Sequence, residues 1–195
     1  MKTANTFLKK IKKALRVLYA NYKFKGAKLG RRVVACAKLN VLNPKYFTIG
    51  DYCYFGPNCR IEAWDEYKND IFQPEIVIGE DVRINSSCHI GAINRIVIGN
   101  KCLLGSHVMI IDHSHGKNEV KELAVHPSER NLYSKGEIVI GDFCWICENV
   151  VVLPDVHIGN GCVIGANAVV TKDFPANSVI AGNPAQVVKV ISKSD

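Results

Sequence analysis

Residues 140–175 read IGDFCW ICENVV VLPDVH IGNGCV IGANAV VTKDFP when cut every six residues. Each piece begins with Ile or Val and three carry Gly second, so positions 140, 146, 152, 158, 164 and 170 form one column. The same phase recurs upstream at Ile49, Phe55 and Ile61, at Ile78, Ile84 and Ile90, and at Ile98, Leu104 and Ile110. All fifteen starting positions are apolar in a chain that is 48% apolar. In a fixed register chance gives that about once in 10⁵. A period of six is neither a helix period nor plain strand alternation. It suits a triangular coil in which each hexapeptide makes one flat side and one turn, with its first residue inside the prism.

The fifth position must also lie inside, at a corner where only a small side chain fits. That column reads Cys53, Cys59, Val82, Cys88, Cys102, Val108, Cys144, Val150, Val156, Cys162 and Ala168, ending on Phe174. It absorbs six of the eight cysteines, which are therefore expected as small buried hydrophobes. A secreted disulfide framework loses its support, and Cys144 and Cys147, the lone Cys-x-x-Cys pair, lack a second pair at zinc-ribbon spacing. Cys36 stays unassigned.

Grouped in threes, the hexapeptides give five coils, starting at Ile49, Ile78, Ile98, Ile140 and Ile158. Extra chain enters after Ile61, Ile90 and Ile110, always following the third hexapeptide, so every loop leaves from one corner. There the fifth position turns polar, as Asp65, Asn94 and Ser114. Loops gathered on one edge of a repeat scaffold usually make the binding face.

The chain's 195 residues suit one domain, and an excess of 42 Ile and Val over 11 Leu favours strands. No stretch reaches the roughly 18–20 apolar residues of a membrane span. Lysines interrupt MKTANTFLKKIKKALRVLYA where a signal peptide needs an apolar core, so a cytoplasmic protein is expected. Residues 5–20 predict a helix with Phe7, Leu8, Ile11, Leu15 and Leu18 on one face and Lys9, Lys12, Lys13 and Arg16 elsewhere. Its plain role is to cap the solenoid or pack beside it, where the first coil would otherwise expose a strand edge. The competing role is contact with the surface of the inner membrane. Residues 1–45 thus read as a helix and irregular lead-in, 46–185 as the repeat domain with a loop over 111–137, and 186–195 as a tail.

The hexapeptide columns, the run IGANAVVTKDFPANSVIAGNPAQVVKVI and the segment IIDHSHGK followed by RNLYSKGEIVIGDFCWI resemble the hexapeptide-repeat acyltransferases. The maltose and galactoside O-acetyltransferases and the polysaccharide O-acetyltransferases are the most similar branch, over about residues 46–190. The resemblance implies an all-β solenoid: a left-handed parallel β-helix of about five coils with an N-terminal helix and an extended loop after the third coil. It also implies acetyl-CoA as acyl donor, a sugar or glycan acceptor, no metal, and a homotrimer with sites between subunits.

By the same resemblance, the catalytic base is His113, the first His of DHSHG, with His115 as competitor. A neutral imidazole suits removal of a proton from a sugar hydroxyl. Asp112 stands beside His113 and could orient it. Asn85, in RINSSC, falls where sugar acetyltransferases hold the acceptor and the developing oxyanion; a turn Asn is the equal alternative. Motif matching puts coenzyme A contacts at Ala166, Thr171 and Lys172 and reaches Glu148, where relatives often carry Ser or Gly. Lys172 has the charge to pair with a phosphate. Trp145, in an outward position, reads as subunit packing. Cys147 replaces the usual Gly and has no base indicated upstream, so a nucleophilic role is disfavoured.

The net charge of +7 fits anionic coenzyme A, a nucleotide- or lipid-linked sugar, or an anionic membrane. No nucleic-acid-binding motif appears. Competing readings are N-acetylation of an amino-sugar nucleotide, a carbonic anhydrase-like β-helix, whose His-x4-His spacing is absent, and a non-catalytic assembly solenoid.

Overall fold

In the computed structural model, which describes residues 2–117 and 119–192 and side chains from Thr6 onward, short parallel strands stack into three flat faces. One coil contributes one strand to each face, as Glu75–Ile78, Arg83–Ile84 and His89–Ala92 do. The inward columns run straight up the prism. On the first face Leu29, Ile49, Ile78, Ile98, Ile140 and Ile158 are successive register partners. On the third face Val41, Ile61, Ile90, Ile110, Val152 and Val170 are. Every starting residue read from the sequence is buried in this core.

The turns explain the rest of the hexapeptide. Its fourth residue takes positive φ, as at Tyr52, Asn58, Asp81, Ser87, Lys101 and His107. Where its second is Gly, the next coil runs close against it: a Cβ on Gly79 would stand 2.8 Å from the Asn100 backbone nitrogen. The fifth-position thiols turn to the carbonyls of the following coil, Cys53 to Gly79 O and Cys88 to Gly105 O, both at 3.0 Å. All eight cysteines are free thiols, and Cys36, the unassigned one, lies 3.3 Å from the Tyr54 hydroxyl.

Two features differ from expectation. Residues 28–42, expected as irregular lead-in, form a further coil from Lys28–Leu29, Val34–Ala35 and Asn40–Leu42. The structure thus has six complete coils before Ser178–Gly182 and Ala185–Val190 close the far end as an antiparallel pair. The extra coil was masked because its second column position is Ala35; Phe24 fills the space beside it, packed on Phe55 at 4.8 Å between ring centroids. The other difference is at the helix, α1 (Lys2–Lys23). It does pack on the first coil, but through Ala20, Tyr19 and the following Phe24. The predicted apolar face, Phe7, Leu8, Ile11, Leu15 and Leu18, points to solvent.

All the inserted chain leaves from the third-to-first corner. After the second coil it forms the hairpin Glu66–Tyr67/Asp70–Ile71. After the fourth it forms the 111–137 loop, closed by antiparallel pairing of Ser114–His115 with Leu132–Tyr133. The two insertions are tied together by the Tyr67 hydroxyl donating to Ser128 O at 3.0 Å and by a Lys68–Glu129 ion pair at 3.3 Å.

Candidate active site

His113 stands where the fourth coil gives way to the long loop, one residue past Asp112. Asp112 is fully buried. One carboxylate oxygen accepts the Ile93 N–H at 2.9 Å and lies 3.1 Å from His113 Nδ1; the other accepts the Asn94 N–H at 2.9 Å. The carboxylate is therefore fixed by the backbone of the coil below. A carboxylate only accepts, so the neutral imidazole tautomer that fits this contact has its proton on Nδ1 and its lone pair on Nε2. The adjacent pairing read from the sequence is thus made, because the Asp side chain turns inward under the corner while the largely covered imidazole lines the cavities beside it.

Two cavities meet at Ile111, His113 and Ser114. One, of about 430 Å³, is lined by Met109, Val152, Pro154, Thr171, Lys117 and Lys135. The other, of about 270 Å³, is lined by Arg60, Glu62, Trp64, Tyr67, His89 and His115. Glu62 organises the second. Buried on the outer side of the third face, it takes two bonds from the Arg60 guanidinium at 3.1 and 2.8 Å, one from Asn40 at 3.3 Å, and lies 3.2 Å from His89 Nε2. Burial raises the Glu62 pKa, but the Arg60 bonds and charge outweigh it and hold the carboxyl below its usual range. Burial, reinforced by Arg60, pushes His89 below the ordinary imidazole value. Trp64 and Tyr67 meet edge to face at 6.5 Å, and Tyr67 meets His115 at 5.7 Å.

The predicted site residues divide between two edges of the prism. His113, His115, Thr171 and Lys172 follow strands of the third face, and Thr171 lines the same cavity as His113. Lys172 Nζ bonds the Gln186 side chain at 2.8 Å. Asn85, Glu148 and Ala166 follow strands of the second face and stack along the second-to-third corner. Glu148 and Ala166 are exposed, and none of the three lines either His113 cavity. Within one chain the Asn85 edge is not brought to His113. Trp145 is about half exposed on the second face, and Cys147, partly covered, has its thiol pKa raised by burial and by the Glu148 charge. Arg60, Glu62 and Trp64 were not singled out from sequence; their cue is an alternation of outward polar residues on the third face, Arg60 beside His89 in register.

Fold and site together define a left-handed parallel β-helix protein of the hexapeptide-repeat class. The family described as bacterial transferase hexapeptide (six repeats) matches residues 137–172. WcaF of Escherichia coli K12, named as a colanic acid biosynthesis acetyltransferase, is 30% identical over 164 residues, covering 84% of this chain and 69% of that relative. The chain belongs to the hexapeptide-repeat acetyltransferase family. WbbJ of Escherichia coli K12, named as a lipopolysaccharide biosynthesis O-acetyl transferase, is 42% identical over 118 residues; the match takes in 58% of this chain and 60% of WbbJ. Among solved structures, the hexapeptide-repeat acetyltransferase VCA0836 of Vibrio cholerae, complexed with acetyl coenzyme A, superposes with a TM-score of 0.58 at 26% identity, covering 92% of this chain and 78% of that one.

Proposed function

We propose that the protein transfers an acetyl group from acetyl-CoA to a sugar hydroxyl of a surface-polysaccharide precursor, with His113 as general base. The observation that carries this reading is the meeting of two cavities at an imidazole whose Nδ1 is held by a buried carboxylate. His113 Nε2 takes the proton from the acceptor hydroxyl as its oxygen attacks the thioester carbonyl carbon. The tetrahedral intermediate collapses with cleavage of the C–S bond, and the proton passes to the departing thiolate. The products are an O-acetyl sugar and free coenzyme A.

The acyl donor enters through the larger cavity, where Lys117 and Lys135 offer cations and Thr171 a hydroxyl. The acceptor takes the smaller one, whose aromatic and donor-rich walls suit a single sugar ring. The division of the predicted residues between two edges supports a homotrimer. A second copy laid edge to edge would bring its Asn85, Glu148 and Ala166 to this chain's His113, Thr171 and Lys172, so that acetyl-CoA lies between copies. Residues 5–20 give the protein a contact with a membrane surface.

The test is release of free thiol from acetyl-CoA in the presence of a panel of sugar acceptors. His113→Ala should lower the rate about 10²–10⁴-fold. Full activity in that variant would reject the reading.

A further inference from the structure

The whole net charge of the chain resides on α1. The helix carries seven Lys and Arg and no acidic residue, which leaves 18 basic against 18 acidic residues elsewhere. Its apolar residues fall at a helical repeat, Phe7, Ile11, Leu15, Leu18 and Tyr22 with Leu8 beside them, and are 40–74% exposed. The helix thus turns its apolar stripe outward and its cations toward the prism. There Lys9, Lys12, Lys13 and Arg16 face Arg32, Arg83 and Lys101 across an open cleft of about 760 Å³. Among the described residues only Glu80 and Asp81 bring negative charge to that cleft, and Asp81 pairs with Arg83 at 3.4 Å. Among the described residues the four helix cations make no ion pair. Like charges facing one another repel unless an anion lies between them.

The geometry points to an anionic bilayer as the occupant of this surface, an inference that rests on the membrane contact proposed above and specifies its chemistry. The outward stripe enters the boundary between headgroups and acyl chains, with the helix lying in the membrane plane. Lipid phosphates then stand at the level of the helix's polar side and fill the cleft between its cations and those of the prism. A second copy of the chain fits this surface poorly, because it would bring the same cationic helix with no excess of acidic residues to meet it. The arrangement places the side of the prism that carries Arg32, Arg83 and Lys101 beside the membrane.

The experiment is co-sedimentation of the full chain with vesicles of phosphatidylcholine alone and with about one third phosphatidylglycerol. Binding should rise on the order of ten-fold with the anionic lipid and fall as salt screens it. It should be lost in Leu8→Asp/Leu15→Asp and weakened in Lys12→Ser/Lys13→Ser, with melting temperature and thiol release with a soluble acceptor retained. Retained transfer with no vesicle binding overturns the docking inference alone; loss of transfer in His113→Ala bears only on the catalytic reading. Equal binding to neutral vesicles overturns it too. So does binding of inorganic pyrophosphate without vesicle binding, or dissociation of the assembly in Leu8→Asp/Leu15→Asp, which would make the cleft a soluble-anion site or the stripe a subunit contact.

Discussion

Replacing Asp112 by Asn isolates what the buried carboxylate does for His113. The wild-type oxygens satisfy three donors: the Ile93 N–H, the Asn94 N–H and His113 Nδ1. An amide of the same shape keeps one accepting oxygen and turns its NH₂ either on the Asn94 N–H or, flipped, on both the Ile93 N–H and His113 Nδ1. With the oxygen toward His113, the Asn94 N–H is left facing a donor. With the NH₂ toward His113, the amide favours the tautomer that protonates Nε2, the atom needed as base. Each arrangement loses at least one bond to a charged acceptor at a fully buried side chain, worth about 1.5–3 kcal/mol. If the loss falls on the reacting imidazole, the rate drops about 10–100-fold. The assay is single-acceptor thiol release under saturating acetyl-CoA, beside a melting curve and acetyl-CoA binding to establish that the fold and donor site persist. A rate within two-fold of wild type, on the order of RT in free energy, would refute the argument that Asp112 positions His113.

Other outcomes follow from the same geometry. His115→Ala should keep most activity while weakening acceptor binding, because its ring meets Tyr67 in the smaller cavity and, among the described residues, no bond to a carboxylate fixes it; a loss as large as that of His113→Ala would move the base to His115. Ile90→Ala, at a fully buried position between Ile61 and Ile110, should cost about 2–5 kcal/mol in urea unfolding without altering the site chemistry. Thiol titration of the native protein should leave the fifth-position cysteines unreactive, Cys53 being pushed up to about 11 by burial, with Cys147 the first to react; all eight should titrate in denaturant. Acidification should destabilise the fold in two stages. His89 and Glu62 both hold depressed values when folded, so the unfolded chain binds more protons: stability falls first below about pH 6.5 through His89 and then below about pH 4.3 through Glu62. His89→Gln should flatten the first stage in melting temperature, and an unchanged acid profile would count against it.

The inner columns were legible because burial leaves little choice there: fifteen apolar starts and a run of small fifth residues specify the prism and its register. The extra coil was hidden by Ala35, whose small side chain is matched by Phe24 from outside the repeat, a compensation no single hexapeptide carries. The helix was legible and its packing side was not, since amphipathic spacing tells which residues share a side but not which side meets the prism. At the site, His113 and Asp112 lie together in sequence and could be read there. Glu62, Arg60 and Trp64 come from a coil some 50 residues earlier in the chain, and only the stacking of coils brings them to the same cavity. Asn85, Glu148 and Ala166 share a corner for the same reason, and their distance from His113 within one chain follows from the three-sided section.

The central claim, a site built from His113 of one copy and Asn85 of the next, is tested most directly by complementation. His113→Ala and Asn85→Ala are each prepared alone and then denatured, mixed in equal amounts and refolded. Each alone should be nearly inactive. In random assemblies one site in four pairs an intact His113 with an intact Asn85, so the mixture should recover about a quarter of wild-type thiol release. A mixture no more active than its components, or an Asn85→Ala protein that keeps full activity alone, would contradict the shared site.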